Sequence, residues 1–279
     1  MSRKTFLITG GNSGIGLAIA HEAAARGARV LLACRDQQKA RSAMEEIRQR
    51  TPGAELELFA LDLGSLEKVR RCATEVLAKY PVIDVLMNNA GAYCTSQRFT
   101  DDGFEMSFGG NVLGPVLFTE LLLPALEKSE EGRIVHLSSM ANLAGRIDFD
   151  SFRGRKPYFA FPAYAQSKLG NLLYSNALAA RTKVTSNALH PGAVDSPLYR
   201  ELPSWLYATF SWALISPQRA AKLACDLALA PEYAGVTGQY FAAQPPSMTN
   251  RAAHDVALLD RFYETCCQLV GVAPQHKSA

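Results

Sequence analysis

Short apolar runs alternate with amphipathic stretches along most of this chain. Phe6 to Ile8, Val30 to Cys34, Leu56 to Ala60, Ile83 to Met87 and Ile134 to Leu137 are almost continuously apolar. That character suits strands of a parallel sheet covered on both faces. Helical patterns separate them: Leu66, Val69, Ala73, Val76, Leu77 and Tyr80 fall on one 3.6-residue stripe, Gln37 to Arg50 forms another segment, and Leu121 to Leu126 closes a third. After Tyr164 the alternation continues with a helix to about Ala180, a strand at Val184 to Leu189, and a helix carrying Ala220, Leu223, Ala224 and Leu227. A strand near Gln239 to Ala242 and an amphipathic segment from about Asn250 to Leu269 complete the series. Alternation of this kind predicts an α/β fold built on a doubly wound, mostly parallel sheet with right-handed crossovers. No repeat, low-complexity tract or linker divides the chain, so a single domain over residues 1–279 is expected.

Composition narrows the classes of function. With 279 residues, 48% hydrophobic and 20% charged, the chain can support one large core, and its net charge of +3 gives no footprint for nucleic acid. Six cysteines without a Cys-x-x-Cys pair point to reduced thiols in a cytosolic-type compartment. His21, His136, His190, His254 and His276 lack metal-ligand spacing, so no metal is expected. The first strand runs straight into a glycine turn with no signal peptide before it, and no stretch looks long enough to cross a bilayer. A cytoplasmic protein is expected, with peripheral membrane contact left open.

Two motifs carry the chemistry. Thr9-Gly10-Gly11-Asn12-Ser13-Gly14-Ile15-Gly16 joins the first strand to the first helix, where glycines let the backbone turn and approach a pyrophosphate at the helix N-terminus. The fold expected is therefore of the Rossmann type. The second strand ends Ala33-Cys34-Arg35: Cys34 cannot bond a ribose 2′-hydroxyl as an acidic residue would, whereas Arg35 offers a planar cation for a 2′-phosphate. NADP(H) is thus favoured over NAD(H), with Asp36 read as a helix N-cap. Far downstream, Tyr164 and Lys168 stand one helical turn apart. A neighbouring ammonium favours the phenolate, which makes a proton donor and acceptor usable near neutrality.

These motifs resemble the short-chain dehydrogenase/reductase family over essentially the whole chain. The resemblance implies further roles. Asp62, with Leu63 beside it, is similar to the family's adenine-contacting acid after the third strand, and Asn89, Ala90 and Gly91 belong to the Asn88-Asn89-Ala90-Gly91 motif ending the fourth. Asn111 resembles the helix asparagine that holds a water in the proton relay, and Ser139 takes the place of the catalytic serine. Pro191, Gly192 and Val194 match the segment lining the nicotinamide. Leu32 to Asp36, Asp102 to Glu105, Gly235 to Gly238 and Cys267 to Gly271 are most similar to the retinol dehydrogenase-like group. Two departures stand out: Asn111-Val112-Leu113-Gly114-Pro115 replaces that group's Asn-His-Leu-Gly-His, and an N-terminal membrane anchor carried by many members is not seen.

The expected site is then catalytic Asn111, Ser139, Tyr164 and Lys168 facing a dinucleotide. The cofactor contacts are Gly10, Asn12, Ser13, Gly14, Ile15, Gly16, Arg35, Asp62, Leu63, Asn89 to Gly91, Tyr164, Lys168, Pro191, Gly192 and Val194. Two aromatic-rich stretches, Met140 to Pro162 and Asp195 to Pro217, are expected to shape the substrate pocket, the second as a lid with Trp205 and Trp212 on one helical face. Their character suggests a small apolar aldehyde, ketone or alcohol, retinoid-like or steroid-like. The competing reading is a catalytically idle dinucleotide-binding sensor or scaffold. Homo-oligomers are common in such a family, and the faces of this chain give no signal on that point.

Overall fold

Seven parallel strands form the sheet: β1 (Thr5–Thr9), β2 (Arg29–Cys34), β3 (Leu56–Ala60), β4 (Val85–Asn88), β5 (Arg133–Leu137), β6 (Thr185–His190) and β7 (Tyr240–Ala242). Their order is β3-β2-β1-β4-β5-β6-β7, every neighbouring pair parallel. The structure is a computed structural model, and it describes residues 3–192, 216–242 and 248–277.

Because side chains alternate across a strand, each strand feeds both cores. Leu7, Leu31 and Leu86 point into one cluster, while Phe6, Ile8, Val30, Leu32, Val85 and Met87 point into the other. On the second face lie α1 (Gly14–Ala25), α2 (Gln37–Arg50) and, closing the list later in the chain, α6 (Pro217–Leu229). The first face is covered by α3 (Leu66–Lys79), α4 (Met106–Leu126), α5 (Ala160–Ala179) and α7 (Val256–Val270). The apolar runs read from the sequence thus become buried strands. The two edge strands are the exceptions: in β3 only Phe59 is buried, and in β7 all three residues are half-buried.

One sequence expectation needs correction. Helix α4 is continuous over Met106–Leu126, long and apolar enough by length and composition to cross a membrane. Its apolar window is 83% buried inside the protein, as expected of a helix wedged between a sheet and two other helices. A π turn at Gly109–Leu113 joins its two parts and hides their combined length from the sequence pattern. Glu120 staples this layer: its Oε1 accepts from the Tyr174 hydroxyl of α5 at 2.8 Å and the Tyr263 hydroxyl of α7 at 3.1 Å. Burial raises the Glu120 carboxyl above its ordinary range, only partly offset by those bonds.

All six cysteines are buried and unpaired, Cys266 and Cys267 included. The order of the strands reverses at the β1/β4 boundary, which opens a crevice beyond their carboxyl ends, where such sheets bind ligands. Both motif-bearing turns leave the sheet there.

Candidate active site

At the mouth of that crevice the turn after β1 is locked to the turn after β4. Thr9 Oγ1 accepts from the backbone N–H groups of Asn89 and Ala90 at 3.1 and 3.0 Å, and Asn89 Nδ2 donates to Thr9 O at 2.9 Å and Gly10 O at 3.2 Å. Gly10 and Gly14 have φ of +68° and +54°, conformations that side chains disfavour. A Cβ on Gly16 would lie well inside contact distance of Gly10 O and Asn89 Nδ2, so helix and turn approach as only glycine allows.

These residues fit a dinucleotide. Ser13 is the N-cap of α1 in extended conformation, yet its side chain caps nothing, and a Cβ on Gly14 would meet open space. The first turn of α1, from Gly14 through Ile15, therefore offers uncapped N–H groups to an anion. Arg35 is exposed just past β2, and Asp36 accepts from Lys39 N at 2.9 Å as the N-cap of α2, with Asn12 Nδ2 reaching its carbonyl at 3.4 Å. Burial pushes the Cys34 thiol up to about 11, against the amides of Gly11, Gly10 and Asn12. Asp62 orders its own turn, accepting from Gly64 N at 3.1 Å and pairing with Lys68 at 3.3 Å, while Leu63 packs against the core. Pro191 and Gly192 follow β6, Gly192 at a φ of +92°. Val194 lies outside the described residues.

Deeper in the crevice, α5 presents Tyr164 and Lys168 one turn apart. Lys168 is 5% exposed, and its Nζ stands 5.6 Å from the centre of the Tyr164 ring while donating to Leu137 O at 3.0 Å. Burial lowers the ammonium to about 8. A Cβ on Gly91 would come within 3.3 Å of Nζ, a tight contact against the ammonium. The two adjacent serines divide: Ser138 is buried and donates to Lys168 O at 2.7 Å, whereas Ser139 is half-buried, its Oγ accepting from the N–H of Ala141 at 3.2 Å. Asn111 lies in the π turn. Its side chain accepts from Ala92 N and donates to Ala92 O, both at 2.8 Å, and donates to Ser167 Oγ at 3.1 Å. Ser167 in turn donates to Tyr164 O at 2.7 Å, so Asn111 ties the β4 turn to α5.

Some expectations about the pocket change. Phe149 and Phe152 do not line it: Phe152 stacks on Phe108 at 3.7 Å between ring centres, and Phe149 packs on Phe152 beneath Arg261. Of that stretch Met140, Phe159 and Phe161 remain exposed. The lid segment, with Leu198, Leu202, Trp205, Leu206, Tyr207, Phe210, Trp212 and Leu214, lies outside the described residues. Residues missed in the sequence include Tyr93, whose ring meets that of Tyr164 edge to face at 5.3 Å, and His190, held down at about 4 by burial and the Lys168 charge. Tyr93 adjoins a recognised motif and was findable. Nothing in the sequence signals that His190 faces Lys168.

A parallel sheet with a glycine turn at its switch point and a Tyr–Lys pair in the crevice defines a dinucleotide-dependent oxidoreductase of the hydride-transfer type. Comparison with known proteins gives the family. Residues 4–206 match the short chain dehydrogenase family model, and the chain belongs to that family. It is 39% identical to retinol dehydrogenase 13 of Mus musculus, covering 99% of this chain and 86% of that protein. Similarity to retinol dehydrogenase 11 of Homo sapiens is 38% identity over 96% and 86%. Among solved structures, an uncharacterised protein from Mycobacterium paratuberculosis superposes with a TM-score of 0.74 at 30% identity, covering 99% of this chain and 96% of that one. A short chain dehydrogenase from Shigella flexneri, solved with NADP, gives 0.69 at 25%, covering 87% and 98%. Within its family the chain sits in the retinol dehydrogenase-like group.

Proposed function

We propose that this chain, as one domain, transfers hydride between NADP(H) and an apolar alcohol/carbonyl pair of retinoid-like or steroid-like character. The observation that carries the reading is the Tyr164–Lys168 pair, with a buried ammonium 5.6 Å from the phenol ring and a half-buried Ser139 hydroxyl near the same crevice.

In the reducing direction Ser139 Oγ–H and the Tyr164 hydroxyl hold the carbonyl oxygen, where charge develops. Tyr164 gives its proton to that oxygen, and Lys168 stabilises the phenolate left behind. Held in this site, the nicotinamide cofactor would supply the hydride for the carbonyl carbon. The Asn111 side chain is spent on Ala92 and Ser167, and a relay water held at this residue would connect Tyr164 and Lys168 to solvent. The amides at the start of α1 would hold the pyrophosphate, Asp62 and Leu63 would flank the adenine, Asn89 to Gly91, Pro191 and Gly192 would line the nicotinamide side, and Arg35 would meet the 2′-phosphate. The Shigella flexneri relative solved with NADP supports that cofactor, and the retinol dehydrogenase relatives support the substrate class.

The test is a panel of all-trans-retinal, nonanal, a 3-ketosteroid and glyceraldehyde against NADPH and NADH, with Tyr164→Phe as control. Apolar carbonyls should turn over with NADPH, and Tyr164→Phe should bind NADPH while losing about 10²–10⁴ in kcat. Turnover of glyceraldehyde alone would remove the substrate assignment, and unchanged turnover in Tyr164→Phe would remove the mechanism.

A further inference from the structure

Ser139 opens a short 3-10 turn, Met140–Ala144, in which Asn142 N donates to Ser139 O at 3.0 Å and Gly145 N donates to Asn142 O at 2.9 Å. Further donors reach the carbonyls of this turn from far along the chain. Asn142, fully buried, donates through Nδ2 to Ser139 O at 2.7 Å and to the Tyr240 hydroxyl of β7 at 3.1 Å. Its Oδ1 accepts from the backbone N–H of Asn250 at 3.1 Å. The Asn250 side chain then closes the arrangement: Nδ2 lies 3.0 Å from Asn142 O, 3.3 Å from Leu143 O and 2.9 Å from Gly145 O. One amide group thus gathers three carbonyls of the Ser139 turn. Asn250 Oδ1 is also engaged, accepting from Ala252 N at 3.0 Å, which fixes the side chain from its other end.

The turn so gathered presses on the catalytic helix. A Cβ on Gly145 would lie 2.6 Å from Ala165 O and 2.8 Å from Leu169 Cβ, so the backbone of the turn rides directly on α5 next to Tyr164. Loss of the Asn250 side-chain bonds would let this seam open, and the Ser139 hydroxyl would move relative to the Tyr164 hydroxyl. Misplacement of a reacting group by about 1 Å can cost about 10²-fold in rate.

We propose that Asn250 is a positioning residue for the reaction, clamping the Ser139 turn against α5 so that Ser139 and Tyr164 address one carbonyl oxygen. This rests on the functional reading above, in which those two hydroxyls share the substrate. The Asn250 side chain bonds the carbonyls of the turn and Ala252 N.

A double-mutant cycle tests it, with NADPH and whichever aldehyde of the panel turns over fastest. Ser139→Ala, Asn250→Ala and the double variant are compared for kcat, NADPH affinity and melting temperature. Asn250→Ala should lower kcat by about tenfold or more, with NADPH affinity within about twofold, and should add less than about threefold to the loss in the Ser139→Ala background. Should Asn250→Ala fail to fold, Asn250→Asp carries the same comparisons, since it keeps the acceptor for Ala252 N and removes the donor. An equal factor in both backgrounds, or an unchanged kcat in the single variant, overturns the positioning role. Unchanged kcat in Ser139→Ala would instead overturn the functional reading, so the two failures are distinguishable.

Discussion

Lys168 reaches from the middle of α5 to the carbonyl of Leu137, the last residue of β5, and donates to it at 3.0 Å. The same carbonyl accepts from Asn171 at 3.1 Å. A strand end and a catalytic-type lysine are therefore held together before any ligand is considered, and the ammonium is held at a cost.

Burial lowers Lys168 from 10.5 to about 8. Between those values the unfolded chain keeps a proton that the folded chain has released, so this residue's contribution makes folding more favourable as pH rises through the window. Below the folded value the penalty is fully present, roughly 3 kcal/mol. Lys168→Met should therefore melt no lower than wild type at pH 7, with its relative advantage shrinking toward pH 10, while kcat falls by about 10²–10⁴. Melting curves of both proteins across that range check the sign. A variant that loses stability at pH 7 and regains it at pH 10 would mean that the bonded ammonium stabilises the fold.

Gly16→Ala places a methyl against Gly10 O and Asn89 Nδ2, both parts of the cofactor turns. Overpacking of this kind costs about 1–3 kcal/mol. Urea unfolding should show that loss, and NADPH titration should show weaker binding. Full retention of both would mean that the turn yields freely.

Arg35 is exposed and Asp36 is committed to capping α2, so Arg35 is the side chain proposed to discriminate between cofactors at this corner. Arg35→Glu should raise the KM for NADPH by about 10–100-fold, the range of a lost hydrogen bond to a charged group. The KM for NADH should change far less. An unaltered NADPH/NADH ratio would sink the assignment.

Tyr93 meets the Tyr164 ring edge to face at 5.3 Å, a contact worth about 0.5–1.5 kcal/mol beyond buried area. Tyr93→Leu should cut kcat by about three- to tenfold, with NADPH affinity preserved, and Tyr93→Phe should behave nearly as wild type. Comparable losses in both variants would mean that the Tyr93 hydroxyl, not its ring, matters.

The sequence by itself determined much of this protein. All seven strands were anticipated, five of them from near-continuous apolar runs of the kind a parallel sheet covered on both faces demands, and the motifs around Gly10, Asn89, Ser139 and Tyr164 stand within the stretch that matches the family. Asp36 was read as an N-cap and is one. Local chemistry was legible because its partners are neighbours in the chain. Contacts across long separations were not. The full length of α4 was hidden by a π turn, Phe149 and Phe152 went into the core rather than the pocket, and no pattern announced that Asn250 would hold a turn more than a hundred residues earlier. Only the tertiary structure decided which of two adjacent serines is buried, since Ser138 is claimed by the Lys168 carbonyl and Ser139 is not. It likewise decided how far burial lowers the Lys168 ammonium, because desolvation depends on what packs around a side chain and not on what precedes it in sequence.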